Sequence, residues 1–130
     1  MPQPAAKQGD RVSGVCSHMI QPPGTSPPVM TPGHIFNGII SSGLSTDVFI
    51  EGRPAAVVGS EASNTPPHIP IGGTFVNMPL VTNRATITMG SPTVLINGKQ
   101  VARAGDQARP CSEVPVPAQV VATSTVFIGP

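Results

Sequence analysis

The sequence contains no Trp and no Tyr, and only four Phe among its 130 residues. Charged residues make up 10% of the chain, and the formal net charge is +1. With so few large side chains, burial alone contributes little to the stability of a small domain, so a cross-link of some kind is expected. The scattered charges form no basic stripe, which argues against nucleic acid as a partner.

Long apolar runs are also absent. No stretch of about 18 apolar residues occurs, so no membrane-spanning helix is expected. Residues 1–5 lack the basic and apolar regions of a secretory signal. We therefore expect the protein to begin in the cytoplasm and, if it leaves, to be carried by something other than the general export route. In that compartment the two Cys are expected to be thiols or metal ligands rather than a disulfide.

Proline and glycine are abundant, with 17 Pro and 14 Gly. Such a share is close to that of disordered chains, but the low charge and the short runs of Val, Ile and Ala are not typical of them. Proline recurs too often to leave an uninterrupted helix. The composition therefore predicts a single all-β domain, residues 1–130, built from short strands and hairpins with Pro/Gly loops.

One phrase is repeated along the chain. It occurs in full at residues 48–60 and again at residues 94–106. The chain ends on the opening of a third copy, residues 126–130, and it starts with the closing half of a copy, residues 4–10. Because the two half-copies make one whole, three quasi-equivalent units are expected to close into an object with approximate threefold symmetry.

The repeats predict local structure. A short apolar run, a turn and a second run indicate a β-hairpin, and Asn97-Gly98 favours a type I′ turn because both central residues there need positive φ. Glu51-Gly52 stands at the same place in the earlier copy. Each copy then closes on a glycine followed by a short acceptor side chain, which indicates a chain reversal. The acceptors are Asp10, Ser60 and Asp106, and the two aspartates are interpreted as turn caps rather than catalytic acids.

The segments between the copies, residues 11–45 and 61–91, are interpreted as long polar loops. Additional short strands are expected within them at residues 74–76 and 85–88. The basic side chains of the repeats are expected to be solvated, namely Lys7, Arg53, Lys99 and Arg103.

The candidate metal ligands follow the repeats. His18 and His68 each lie eight residues after the reversal step of their repeat, and Cys111 lies five residues after the last one. Threefold closure would bring these three segments together at one end of the molecule, and clustered His and Cys spacing is how metal sites are recognised. The sequence therefore predicts a metal site formed by these residues.

Two residues are candidates for the fourth ligand. His34 could complete a tetrahedral site of three His and one Cys, for which Zn²⁺ is the natural metal. Cys16, two residues before His18, is the rival for this place. It could equally be a small buried apolar residue, which is the commonest fate of a free cysteine.

Motifs for an enzyme are absent. The chain has six acidic residues, and none is paired near a His in sequence. It has no nucleophile elbow, phosphate-binding loop or HExxH motif. A site with four protein ligands is closed and structural, whereas a catalytic zinc keeps an open position. The sequence therefore predicts a protein that is not an enzyme.

Two features carry a resemblance to a known family. Pro4-Ala5-Ala6-Lys7 resembles the Pro-Ala-Ala-Arg opening of the PAAR-repeat proteins, and residues 48–60 and 94–106 resemble that family's repeat. The resemblance implies a small pseudo-threefold β-cone that caps the trimeric spike of a contractile injection system. Such systems include type VI secretion, phage-tail-like particles and phages. It also implies a zinc near the apex, held by three His and one Cys, which here are His18, His34, His68 and Cys111.

The resemblance implies partners as well. One monomer is expected per trimer of a VgrG-like spike protein, with effector proteins as further partners. The chain is expected to leave the cell as part of the fired particle and to contact the target membrane transiently. The alternative function is a zinc-stabilised adaptor module that binds and loads effector cargo. Lys7 and Ser60 depart from the family pattern, which has Arg and Asp at these places.

Overall fold

The computed structural model describes residues 2–129, so Met1 and Pro130, the ends of the predicted domain, lie outside the described residues. The regular secondary structure of the described part is β-strand, apart from one short 3-10 helix at Met78–Leu80. No helix in it is long and apolar enough to cross a membrane. The strands are β1 (Gln3–Pro4), β2 (Arg11–Gln21), β3 (Val29–Ser42), β4 (Phe49–Ile50), β5 (Arg53–Pro54), β6 (Glu61–Asn64), β7 (Thr74–Phe75), β8 (Arg84–Ile87), β9 (Leu95–Ile96), β10 (Lys99–Gln100), β11 (Gln107–Arg109), β12 (Ala118–Val121) and β13 (Phe127–Ile128).

Six of these strands form a closed barrel. β2, β3, β6, β8, β11 and β12 pair in that order, all antiparallel, and β12 returns to β2. Closure leaves no free edge within this ring. The core is rich in small side chains: eight of its 14 buried residues are alanines, three of which come from the repeats. Phe36 is the largest residue of this core, and Gly38 leaves the room it needs, because a Cβ there would lie 2.6 Å from its ring.

The two longest strands lie where the sequence predicted a polar loop, so that prediction was wrong for residues 11–45. β2 and β3 form a long hairpin turned at residues 22–28. Its inward positions alternate with exposed ones in period two. The pattern was hidden because several inward residues are Cys or His, and several outward ones are apolar. The shorter strands expected at residues 74–76 and 85–88 are present as β7 and β8, each within one residue.

Each repeat forms a two-stranded hairpin at one end of the barrel. β4 pairs with β5, β9 with β10, and β1 with β13. The last pairing joins the two ends of the chain, with Pro4 opposite Phe127, so the half-copies do make one whole unit. Glu51 and Asn97 have φ of 52° and 53°, and each is followed by a glycine with positive φ, as the predicted turns require.

Three alanines, one from each repeat, close a ring of backbone hydrogen bonds. Ala6 donates its N–H to Ala102 at 2.9 Å, Ala102 donates to Ala56 at 3.0 Å, and Ala56 donates back to Ala6 at 3.0 Å. All three residues are fully buried. Because each donates to the next, the ring surrounds the pseudo-threefold axis. A larger side chain at these positions would be forced into close-packed surroundings.

The reversal step of each repeat is fixed by its acceptor side chain. In every copy that side chain accepts the backbone N–H three residues earlier: Asp10 from Lys7 (3.0 Å), Ser60 from Val57 (3.0 Å) and Asp106 from Arg103 (2.8 Å). The aspartates are therefore turn caps, as predicted.

The expectation of solvated cations is wrong for Lys7 and Arg103. Lys7 is only 9% exposed, and its ammonium pairs with Asp10 at 3.2 Å. Arg103 pairs with Asp106 at 2.9 Å. In the second repeat, Val57 stands at the position equivalent to Lys7 and Arg103. Because no charge has to be balanced there, a neutral Ser can replace the acid.

We predict that Asp106→Ala destabilises the protein more than Ser60→Ala. The first change removes the partner of a largely buried cation, which costs about 3 kcal/mol. The second removes one neutral hydroxyl, which costs about 1 kcal/mol. Urea unfolding of the metal-saturated variants measures both, with Thr25→Ala in the exposed turn between β2 and β3 as the control. Equal losses at the two caps would contradict this account.

Candidate metal centre

The ligand residues meet at the end of the molecule away from the hairpins, where β2 and β3 extend beyond the shorter barrel strands; we call this the narrow end. β2 turns Cys16 and His18 inward as alternate residues, and β3 places His34 directly opposite Cys16. These positions lie beyond the stretch in which β6 and β12 pair with the long hairpin. The segments after β6 and β11 bring His68 and Cys111 to the same place. The structure thus brings together all four predicted ligands and the rival Cys16.

Four residues have ligand atoms that all lie within 4.8 Å of one another, namely Cys16, His18, His68 and Cys111. The two sulfur atoms are 3.9 Å apart, and Cys111 Sγ is 3.7 Å from Nε2 of His18. Nε2 of His68 is buried and has no hydrogen-bond partner among the described residues. A buried polar atom without a partner needs an explanation, and two imidazoles beside two thiols are a donor set that suits a metal ion. These residues could therefore hold one.

His34 lies beside this group. Its ring centroid is 5.4 Å from that of His18 and 5.8 Å from that of His68. Its Nδ1 is also buried without a partner in the described part of the chain, while Nε2 accepts the N–H of Ile71 at 3.4 Å. Burial, followed by the neighbouring His18 and His68, lowers the pKa of His34, which keeps the ring neutral. The membership of His34 in the ligand set stays a prediction, with Cys16 as its competitor.

The two thiols have opposite character. The hydrogen bond from Cys16 lowers the pKa of Cys111 well below its ordinary value, and contacts with His68 and His18 act in the same direction. The same sulfur–sulfur contact, together with burial, raises the pKa of Cys16. Cys111 is therefore the thiolate of the pair. The thiolate is the form that binds metal.

Glu113, which the sequence analysis did not single out, orients His18. Its Oε2 lies 2.9 Å from Nδ1 of His18 and accepts the N–H of Met19 at 3.0 Å. Burial raises the pKa of Glu113, but the hydrogen bonds from Asn77 and Met19 outweigh burial and lower it overall. A carboxylate on the outer nitrogen of a ligating imidazole fixes the ring and its tautomer. The signal in the sequence that could have identified Glu113 is its position, two places after Cys111.

Two asparagines hold the His68 segment. Oδ1 of Asn83 accepts the backbone N–H of His68 at 2.7 Å and the amide of Asn64 at 3.2 Å. The amide nitrogen of Asn64 lies 3.3 Å from Nδ1 of His68. The ring is thereby fixed from its outer side, which leaves Nε2 for the cluster. Asn64 stands four residues before His68 in sequence, but nothing local indicates the contribution of Asn83.

The fold and the site together define a small all-β protein with internal threefold repetition and a candidate metal centre within its narrow end. The model of the PAAR motif family matches residues 21–109 and residues 79–129. The chain belongs to the PAAR motif family, as its repeats indicated. This family is associated with spike-tip proteins of contractile injection systems and is structural rather than known for enzymatic activity. No curated protein matches the chain.

We predict that the folded protein binds about one zinc ion per chain, as a single site with four protein ligands does. Binding and folding are linked, so removal of the metal with a chelator should lower the melting temperature. Elemental analysis of protein that was washed with chelator and resupplied with zinc measures the stoichiometry. Protein that stays free of metal and melts at the same temperature with and without chelator would show that the cluster is not a metal site.

The ligand set can be resolved by substitution. We expect His68→Ala and Cys111→Ala to lower metal content and melting temperature together. His34→Ala should do the same and Cys16→Ala should have little effect if the predicted set of three His and one Cys is correct. The visible spectrum of the cobalt-substituted protein reports the number of thiolates directly. Loss of metal in Cys16→Ala but not in His34→Ala would assign the fourth place to Cys16.

Proposed function

We propose that this chain caps the trimeric spike of a contractile injection system, as one chain per trimer, and forms the sharpened tip of the particle. Membership in a family associated with spike tips supports the proposal. The observation that carries it is the closed ring of three quasi-equivalent repeats, because such a ring offers similar surfaces to three identical subunits.

Each repeat exposes a large apolar side chain at an equivalent place on the hairpin end. Phe49, Leu95 and Phe127 stand at equivalent places and are 57%, 59% and 58% exposed. The next residue of each strand turns inward and contributes to a small core beneath the hairpins. Three similar apolar side chains related by threefold repetition favour an apolar contact with a symmetric partner.

The hairpins are also bound to one another, which makes this face rigid. Each hairpin accepts a hydrogen bond from a hydroxyl group in the segment that leads into another hairpin. The acceptors are Asn97 from Ser45 (2.8 Å), Gly129 from Ser91 (2.9 Å) and Glu51 from Thr125 (2.8 Å). A surface that is fixed before binding loses less conformational entropy on association. The face therefore suits docking without rearrangement.

Two long segments that reach the opposite end carry no acidic side chain and no lysine or arginine. Residues 12–46 and 62–83 contain no Asp, Glu, Lys or Arg. Exposed apolar side chains occur in both segments, including Ile35 at 65% and Ile69 at 75%. Because moving a charge into a bilayer is costly, the lack of charge in these segments supports transient contact with a target membrane. In this function the chain is assembled in the cytoplasm and leaves the cell with the fired particle.

Zinc is the metal that we propose for the cluster beneath this end, because it prefers four nitrogen and sulfur ligands. It would connect β2 with the segments that carry His68 and Cys111. Those segments have few strand pairings of their own. A metal link would therefore brace the narrow end against force.

The stoichiometry of the complex with the cognate spike trimer tests the proposal. Native mass measurement should give one chain per trimer. Phe49→Asp and Phe127→Asp should each weaken binding roughly 10- to 100-fold, since a buried large apolar side chain contributes about 1.5–3 kcal/mol. Ile69→Asp, at the other end, is the matched control and should bind normally.

Three chains per trimer, or undiminished binding by a variant that carries both Asp substitutions, would overturn the proposal. Binding to effector proteins without any binding to the spike would favour the adaptor function instead.

A further inference from the structure

Cys16 and Cys111 are the two cysteines of the chain, and their sulfur atoms are 3.9 Å apart. We propose that they form an oxidisable pair. A peroxide or a low-molecular-weight disulfide would convert them to an intramolecular disulfide, and this bond would replace metal binding as the link between β2 and the segment after β11. The inference rests on the candidate metal centre and is independent of spike binding.

The backbone keeps the two thiols together without help from a metal. The segment that carries Cys111 lies along β2 immediately beside Cys16. The N–H of Ser17 donates to Oγ of Ser112 at 2.9 Å, and the N–H of Glu113 donates to the carbonyl of Ser17 at 2.8 Å. A disulfide requires an S–S distance of about 2.05 Å. The sulfurs must therefore approach by roughly 2 Å, which side-chain rotation with a small backbone shift can supply.

The two sulfurs differ in access. Cys16 is fully buried, whereas Cys111 is only partly buried and lines an open surface cavity of about 530 Å³. The wall of this cavity has no net charge, because Glu61 and Glu113 lie in it beside Arg84 and Arg109. Access is therefore decided by exposure, and an oxidant from solvent meets Cys111 first. Cys16 lies on the buried side of Cys111, where its sulfur can attack after Cys111 has reacted.

The chemistry proceeds in two balanced steps. With a disulfide reagent, the thiolate of Cys111 attacks one sulfur, forms a mixed disulfide and releases one thiolate. Cys16 then transfers its proton and attacks Sγ of Cys111, so the second reagent thiol leaves and the S–S bond forms. With a peroxide, the thiolate of Cys111 attacks one oxygen, the O–O bond breaks, hydroxide or alkoxide leaves, and Cys111 becomes a sulfenic acid. Attack by Cys16 then releases water. In either case the protein loses two electrons and the proton of Cys16, which the oxidant accepts.

Oxidation removes the sulfur donors from the cluster, so metal affinity must fall. The new bond joins residues 95 positions apart in the chain. It also connects two of the three segments that the metal would connect, namely β2 and the segment that carries Cys111. The narrow end would thus remain cross-linked in an oxidising environment, where a thiolate site is vulnerable.

The test treats the full chain with glutathione disulfide, once after zinc loading and once after chelator treatment. Free thiols are then alkylated under denaturing conditions, and the intact mass is measured. The wild type should lose two hydrogen atoms and retain no glutathione. Zinc release, followed with a chromophoric chelator, should parallel the appearance of this species. The zinc-loaded protein should therefore be oxidised more slowly than the chelator-treated protein.

Two variants separate the roles of the thiols. Cys16→Ser should retain one glutathione on Cys111, because the resolving thiol is missing. Cys111→Ser should stay unmodified while folded and react only after unfolding in urea. Glutathione retained on the wild type, disulfides between chains, or zinc release without the intramolecular bond would overturn the inference. Since the wild-type measurement is decisive by itself, poor folding of a variant would not leave the question open.

Discussion

Three backbone hydrogen bonds between Ala6, Ala56 and Ala102 hold the repeats around one axis, and the rest of the structure follows from that ring. Three residues after each of these alanines, a glycine donates its N–H to a barrel strand: Gly9 to Ile40, Gly59 to Ile87 and Gly105 to Val120. The ring therefore sets both the spacing of the hairpins and the register in which the barrel begins. Small side chains are required at its centre because the three backbones approach each other closely.

The two ends of the molecule are stabilised by different means. The hairpin end is held by backbone pairing, turn caps and hydroxyl contacts between repeats, and it keeps its large apolar side chains exposed. The narrow end lacks the pairing of the short barrel strands, and its interior contains Cys16, His18 and His34 beside the aliphatic Ile20. A metal or disulfide link at that end would supply the stability that a core poor in large side chains does not.

Much of the architecture could be predicted because its signals are local. Repetition predicted three units, Asn97-Gly98 predicted a positive-φ turn, and His18 and His68 were found by their equal spacing from the reversal steps. The long hairpin of β2 and β3 could not be predicted in the same way. Its inward face is formed partly by the polar ligands themselves, so the alternation of apolar and polar residues that marks a half-buried strand is broken.

The hairpin turns, the reversal steps and the residue types of the metal cluster are specified locally, because each depends on neighbours within about a dozen positions. The third repeat unit is complete only when β1 pairs with β13. Which residues of the cluster meet depends on contacts between segments that are distant along the chain. Cys16 and Cys111 come together because β2 and the segment after β11 are hydrogen-bonded side by side. Glu113 orients His18 for the same reason. Lys7 is buried because it packs between two hairpin units that are far apart in sequence, where Asp10 and Glu51 balance its charge.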